Sequence, residues 1–436
     1  MRNVVFGLED VMVDKYYNRI CDRVLSDKLE AKGAVLVKGA KWCGKTTTAE
    51  RISKSVIYIE DPARKRQYLE LAEVDPSQLL QGDVPHLIDE WQLAPKLWDA
   101  VRFEVDKRNE FGQFILTGSA VPPDISEISH TGIGRIASLL MRPMSLFESG
   151  DSNGNVSLGS LFSDNLQVSG NCSHTLNDIT YLICRGGWPK AVGQKEKIAL
   201  SQAVDYYESV VESDISRVDD IYRDPERAKR VLKAYARGVS TETTITALLR
   251  DVRTDENDSF SENTLRNYIS ALKKIYVIED THAWNPNLRS KTAIRTTDTR
   301  YFVDPSIATA AMGIGPNDLI NDLSTAGLLF ENMCVRDLRV FADAIDGNVY
   351  HYRDKSGLEC DAVVHLRNGK YGLIEIKLGG DKLIEEGASN LLKLKEKIDT
   401  DKMHEPSFLM VLCGVAPFAY RRKDGVYVVP IGCLKD

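Results

Sequence analysis

The chain has no apolar run approaching the ~20 residues that a membrane-spanning helix needs, so no membrane partner is expected. It also lacks any C-x-x-C pair and any H-E-x-x-H, and its eight cysteines and seven histidines are scattered. That dispersion excludes a disulfide framework and the common zinc patterns, and it suits a reducing cytoplasm. The first residues, MRNVVFGLEDVMVDKYYNR, show no basic start, apolar core and small-residue cleavage site, so a secretory signal is not expected. Positive charge is lacking as well. The formal net charge of −7 excludes whole-chain attraction to nucleic acid, although a small basic face is compatible with it. What remains is a chain of 436 residues, 43% hydrophobic and 27% charged, the composition of a soluble globular protein. Its length calls for about two to four domains.

Residues 34–49 read AVLVKGAKWCGKTTTA. Ala34 to Val37 form a short apolar strand. Gly39, Ala40, Lys41, Trp42, Cys43, Gly44, Lys45 and Thr46 then fit G-x-x-x-x-G-K-[ST] at every fixed position. The glycines let the backbone curl so that its N–H groups point at a phosphate. Lys45 can reach the β- and γ-oxygens of ATP, and the Thr46 hydroxyl can ligate Mg²⁺. The helix opened by Thr47 adds its positive N-terminal end.

The loop has its expected partners. His86-Leu-Ile-Asp89-Glu90 is an apolar strand ending in two carboxylates, Asp89 to hold Mg²⁺ through water and Glu90 to polarise the attacking water. Phe114-Ile-Leu-Thr117-Gly-Ser119 is a third strand, ending in hydroxyls that can sense the γ-phosphate. Arg135 can bring a guanidinium to that phosphate, from its own chain or a neighbour's; the alternative is a surface salt bridge. Lys45, Glu90, Ser119 and Arg135 are thus the catalytic candidates. Tyr16, Tyr17 and Arg19 stand where an adenine base could stack, or they are residues of the first helix and its surface.

GAKWCGKTTTA, HLIDEWQLAP, FGQFILTGSA, GIGRIASLLMRPMSLFE and YLICRGGWPKAV resemble an AAA-type ATP-binding family of bacteria and archaea whose members carry an uncharacterised C-terminal domain. The resemblance covers essentially the whole chain. It implies an ATPase, and AAA-type ATPases often form rings, so a homo-oligomer is among the expectations. Trp42 and Cys43 depart from the family, where smaller or basic residues are commoner.

Gly150 to Cys172 is rich in Gly, Ser, Asn and Asp and reads as a linker. Apolar residues at helical spacing follow Asn177, with Trp188 read as a packing residue and Asp214 and Arg217 as a solvated charged face. Residues 226–303 read as helix, helix, helix and hairpin, a winged-helix plan. Its recognition helix, capped by Ser261, would carry Arg266, Lys273 and Lys274, and its wing Arg289, Lys291 and Arg295. Protein docking is the alternative to DNA contact.

Near the end, LECDAVVHLRNGKYGLIEIKLGG reads as a hairpin. Glu375 and Lys377 share a face, Ile376 points to the core, and Asp361 lies opposite. Glu331 joins them from the first turn of a preceding helix. Such carboxylates suit a hard cation, with Lys377 to orient water. The arrangement resembles the PD-(D/E)XK nuclease fold. Nearby basic residues, Arg353, Lys355, Arg367 and Lys370, are few for a nucleic-acid groove. YRRKDGVYVVPIGCL reads as one closing strand.

The expected fold is α/β: a P-loop NTPase with a parallel sheet (1–150), a linker and helical segment (151–225), a winged-helix-like region (226–315) and a mixed α/β nuclease-like domain (316–436). The expected function is an Mg²⁺-dependent ATPase that couples its nucleotide state to the C-terminal domain, with DNA or a protein as partner. The alternatives are a nucleotide-gated module with negligible hydrolysis and an ATP-regulated DNA endonuclease.

Overall fold

Five short strands, β1 (Ala34–Lys38), β2 (Ser55–Tyr58), β3 (His86–Asp89), β4 (Phe114–Gly118) and β5 (Ile136–Leu140), form the N-terminal sheet in the order β2-β3-β4-β1-β5. The computed structural model describes residues 16–120, 134–163, 168–219, 221–254, 259–287 and 294–436. Every neighbouring pair in this sheet is parallel, so both faces must be covered and the strands read as apolar runs rather than alternations. Four helices do the covering: α1 (Ile20–Ala31), α2 (Lys45–Ile52), α3 (Lys65–Val74) and α4 (Lys96–Arg108). Leu25, Leu29 and Ala49 pack on Val35 and Val37 on one face. Leu97 and Val101 pack on Ala34, Ile88 and Phe114 on the other. With β1 between β4 and β5, the loop after β1 opens beside the ends of β4 and β3, where ligands of open parallel sheets sit.

After α5 (Leu146–Ser149) the chain does not run free. The stretch read as a linker contributes β6 (Val156–Ser157) and β7 (Gly170–Asn171), and Leu158, Leu161 and Phe162 are buried. Its turn residues are real turns. Between them lie very short strands whose partners sit at the far end of the chain, beyond the reach of local pattern.

The middle is helical: α6 (Leu176–Arg185), α7 (Glu196–Ser209), a π-turn over Val210–Asp214, α8 (Ile215–Arg217), α9 (Pro225–Arg237), α10 (Ile245–Val252) and α11 (Glu262–Lys274). Antiparallel bridges Ile278↔Phe302 and Thr281↔Thr299 follow. The Ser261 side chain caps α11 as expected, but the basic residues on that helix are engaged. Arg266 pairs with Glu262, Lys273 with Asp280 and Lys274 with Asp219. Arg295 pairs with Glu242, and Arg289 and Lys291 lie outside the described residues.

The C-terminal part runs α12 (Pro305–Met312), α13 (Pro316–Asn321), α14 (Leu323–Ala344), β8 (Gly347–Arg353), β9 (Glu359–Leu366), β10 (Tyr371–Gly379), α15 (Asp381–Lys397), β11 (Phe408–Val415), β12 (Phe418–Arg421), β13 (Tyr427–Pro430) and β14 (Leu434–Lys435). Its seven-stranded mixed sheet has the order β7-β12-β13-β11-β10-β9-β8. β8, β9 and β10 form an antiparallel meander, and α15 crosses over to β11, parallel to β10. The hairpin is as read, with Ala362 opposite Ile374. The final segment makes two antiparallel strands, β12 and β13, rather than one, because the Arg422–Val426 turn reverses the chain. β14 pairs with β6.

One face of this sheet packs on α15 through Leu373, Val411, Leu391 and Leu394. The other face belongs to a cluster that includes Phe330 and Met333 of α14, Ile374, Ile376, Trp188, Tyr206, Tyr235 and Phe302. The middle helices and the C-terminal sheet therefore share one core. Among the described residues, no helix is long and apolar enough to cross a membrane.

Candidate functional site

The loop after β1 is shaped by its glycines. Gly39 has φ +152°, and a Cβ there would lie 2.0 Å from the Met141 carbonyl oxygen, a clash no side chain survives. Trp42 adopts a left-handed φ of +63°, an uncommon conformation for a bulky residue. Its indole points outward, half exposed, and meets the Tyr206 ring edge-on at 5.7 Å. Cys43 points inward, its thiol donating to Met141 O at 3.4 Å. Trp42 and Cys43 thus fit the turn, one on each side of it.

Lys45 is buried, and its ammonium donates to Ala40 O within the loop at 2.8 Å. Asp89 Oδ1 accepts from Thr46 Oγ1 at 2.7 Å and from Thr117 Oγ1 at 2.6 Å. The Glu90 N–H donates to Thr117 Oγ1 at 3.2 Å. One hydrogen-bonded chain thus links the first turn of α2 with the ends of β3 and β4. Burial pushes the Asp89 carboxyl up, opposed by the two hydroxyls. Glu90 sits at φ +56°, a strained position next to the loop. Its Oε2 accepts from Ser119 Oγ at 2.9 Å and from Gln92 Nε2.

Lys45, Thr46, Glu90, Gln92 and Ser119 line a cavity of about 1240 Å³, ample for a nucleotide-sized ligand. Tyr16, Tyr17 and Arg19 also reach it. Arg19 is not free to stack on a base, because its guanidinium is fully used. Nε meets Glu148 Oε1 at 3.0 Å, Nη1 the Cys43 carbonyl at 2.7 Å and Nη2 the Arg142 carbonyl at 2.8 Å. It braces the loop from beneath. Tyr16 OH donates to Asp22 at 2.6 Å, and the Arg51 guanidinium stacks over its ring at 3.9 Å.

Two arginines lie elsewhere than the sequence suggested. Arg135 is outside the cavity wall, and its Nε pairs with Asp106 Oδ1 on α4 at 2.8 Å, so within this chain it forms the surface salt bridge. Asp214 and Arg217, read from sequence as a solvated face, line the cavity. Asp214 is 5% exposed and lies 2.6 Å from Lys41 Nζ. The signal missed is the π-turn at Val210–Asp214, which re-registers the helix and is frequent at functional sites. Nothing in the string ESDISRVDD announces it.

The RPMSLFE and GGWP stretches serve to anchor the site. Met144 N donates to Gly187 O at 2.7 Å, and a Cβ on Gly187 would lie 2.1 Å from Met144 O. Gly187 N donates to Asp304 Oδ2 at 2.9 Å, and Trp188 Nε1 to Ser306 Oγ at 2.9 Å. Arg336 of α14 bridges Asp304 and Asp337, at 2.8 and 2.7 Å. Asp337 in turn accepts from Leu146 N at 2.9 Å. Burial, opposed by Arg336, pushes its carboxyl up to about 6. Arg142 pairs with Glu279 and Asp343, each at 2.6 Å.

The hairpin cluster is a second polar site. Lys377 Nζ lies 3.0 Å from Asp361 Oδ2 and 2.7 Å from Glu375 Oε2. Asp361 Oδ2 also accepts from Ile376 N at 2.7 Å. Glu331 accepts from Tyr301 OH at 2.5 Å. Because α14 begins at Leu323, Glu331 lies in its third turn, not its first. Burial, reinforced by the Asp361 charge, holds Glu331 and Glu375 well above the carboxylate range. Among the described residues, no three His, Cys, Asp or Glu groups are placed to hold a metal ion. An ammonium between the two strand carboxylates does not fit a divalent cation there. Arg353 pairs with Glu359 at 3.5 Å, and Lys370 donates to Phe162 O at 3.1 Å.

Three family profiles match the sequence: an AAA domain over residues 31–149, one domain of unknown function (DUF8612) over 176–318, and another (DUF4143) over 326–434. A search of curated proteins finds no match. Among solved structures, the Walker-type ATPase PABY2304 of Pyrococcus abyssi is similar at 14% identity and a TM-score of 0.42. The similarity covers 68% of this chain and 96% of that one. The phosphate-type loop, its acidic strand and the parallel sheet all fall inside the first profile, so residues 31–149 match an AAA domain and have the P-loop NTPase fold.

Proposed function

We propose that the chain binds ATP at Gly39–Thr47 and hydrolyses it with Mg²⁺, and that its nucleotide state is passed to the C-terminal domain. The observation that carries this reading is the hydrogen-bonded chain Thr46–Asp89–Thr117 with Glu90 beside it. A hydroxyl sharing a buried carboxylate is a donor set suited to a hard cation. Thr46 and Asp89 would hold Mg²⁺, which supplies charge neutralisation across the phosphate oxygens. Backbone N–H groups of the loop and the N-terminal end of α2 bind the phosphates. Lys45 exchanges its Ala40 carbonyl for a phosphate oxygen. Glu90 takes the proton of the attacking water through Oε1, with Oε2 held by Ser119 and Gln92. Arg217 takes the charge-stabilising role in the same chain.

The test is ATP turnover by purified protein in Mg²⁺, with and without single- and double-stranded DNA. Lys45→Ala should lose binding and turnover together. Glu90→Gln should keep binding and lose about 10²–10⁴-fold in turnover. Unchanged turnover in both variants would end the proposal. ATP binding without turnover in the unmodified protein would favour the nucleotide-gated module.

A nuclease-like C-terminal domain is a second reading, favoured by the order α14-β8-β9-β10-α15-β11 and by the buried Glu375 carboxylate, whose Oε1 lacks a hydrogen-bond partner. It requires cleavage of DNA that disappears in Asp361→Ala.

A further inference from the structure

Far from the nucleotide cavity, two thiols and an imidazole distant in sequence share one place. β7 pairs antiparallel with β12, Asn171 opposite Phe418. Cys172 follows directly, its N–H bonded to Pro417 O at 2.9 Å. From the other side comes the turn Ile431–Cys433. A Cβ built on Gly432 would lie 2.8 Å from Cys172 Sγ and 2.7 Å from His174 Nδ1, so only glycine lets the turn approach this closely. Cys433 Sγ lies 3.4 Å from the carbonyl oxygen of Asn171, the residue before Cys172, and 3.9 Å from Asn153 Nδ2. Cys172 and His174 are partly exposed, while Cys433 is buried. His174 Nδ1 is buried without a well-aligned hydrogen bond.

The electrostatics favour a thiolate at Cys172. The neighbouring Cys433 thiol, opposed by burial and supported by His174, lowers the Cys172 thiol. Cys172, opposed by burial, in turn raises His174. By contrast, burial pushes Cys21, Cys184, Cys334, Cys360 and Cys413 up. A partly exposed thiolate beside a second thiol is the arrangement that oxidants select.

We propose that Cys172 is a peroxide-reactive thiol with Cys433 as its resolving partner, so that oxidation closes a Cys172–Cys433 disulfide and staples β7 to the end of the C-terminal sheet. In the first step the Cys172 thiolate attacks one oxygen of hydrogen peroxide and the O–O bond breaks. Cys172 becomes a sulfenic acid, and the departing hydroxide takes the His174 proton to leave as water. In the second step the Cys433 sulfur attacks the sulfenic sulfur and the S–O bond breaks. The hydroxide leaves with the Cys433 proton as a second water. Two thiols are oxidised and one peroxide is reduced, and a dithiol reductant reverses the change.

The test uses the reduced full chain treated with one equivalent of hydrogen peroxide. Intact mass should fall by two hydrogens, and peptide mapping should find Cys172 joined to Cys433. With dimedone present, Cys433→Ser should carry the adduct at Cys172, and Cys172→Ser should carry none. Iodoacetamide should alkylate Cys172 of the unmodified protein at pH 5 at least about tenfold faster than Cys21. Oxidation at another pair, or a Cys172 alkylation rate that climbs tenfold per pH unit from 6 to 8, would overturn the proposal. The alkylation arm needs no variant, so it decides the matter even where a substitution harms folding.

Discussion

Lys41 Nζ lies 2.6 Å from Asp214 Oδ1, an ion pair that ties the phosphate loop to a helix 173 residues further along the chain. Asp214 is nearly buried, while Lys41 keeps 41% of its side chain exposed. The pair is thus worth on the order of 1 kcal/mol as a clamp, since half-exposed pairs are well screened. Its carboxylate also adds negative charge to a wall that must accept a polyanion. Asp214→Asn should therefore bind ATP about 3–10-fold more tightly by calorimetry, with faster hydrogen exchange over residues 210–217 in the nucleotide-free protein. Weaker binding would mean that the pair pre-positions Lys41 for phosphate instead.

Arg217 lines the cavity and Arg135 does not, so their substitutions should separate. Arg217→Ala should lower turnover by about 10²-fold or more, the scale of a charge-stabilising donor, with ATP affinity within a few-fold of the unmodified protein. Arg135→Ala breaks an exposed pair with Asp106 and should leave turnover nearly unchanged at low protein concentration. An Arg135→Ala defect that grows with concentration would assign that guanidinium to a neighbouring subunit.

The elements legible from sequence were those written in local pattern. Ala34–Lys38, its loop, His86–Asp89 and the Glu359–Gly379 hairpin announce themselves through apolar runs, glycines and alternation. The rest depended on distant partners. β7 is two residues long and exists because Phe418 and Ala419 pair with it. Asp214 turns inward because a π-turn rotates its helix, and Arg19 braces the loop because Glu148 waits across the sheet. The glycines of GGWP carry no local mark of their cause, the Met144 carbonyl pressed against Gly187. Local propensity carries no record of such tertiary contacts.

Glu279 gives the acid limit of stability. Burial alone would raise its carboxyl, but Arg142, bidentate at 2.6 and 2.8 Å, and Arg339 outweigh that and bring it down to about 2. A carboxyl lower in the folded state than in the unfolded chain stabilises above its unfolded value and loses that stabilisation as pH falls through its folded value. The window here is from about 4.5 down to about 2. Glu279→Gln should cost on the order of 2 kcal/mol at pH 7 in urea unfolding. That cost should shrink progressively below pH 4.5, and one that persisted unchanged to pH 2.5 would contradict the assignment.

Lys377 supplies the sharpest electrostatic test. Burial works against its charge, yet Asp361 and Glu375 outweigh that and raise the Lys377 pKa. Even with this ammonium present, Glu375 and Glu331 are held well above the usual carboxylate range by burial and by Asp361. Lys377→Met keeps the stem but removes the charge, leaving three acidic groups facing one another. Breaking a buried pair from one side typically costs about 3–5 kcal/mol. The sign of the pH dependence follows from the raised carboxyls: in the folded variant they hold protons that the unfolded chain releases, so its stability falls as pH rises through their folded values. Chemical unfolding should find Lys377→Met close to the parent near pH 4 and about 3 kcal/mol less stable at pH 8. A deficit of equal size at both ends would show that the side chain contributes packing rather than neutralisation.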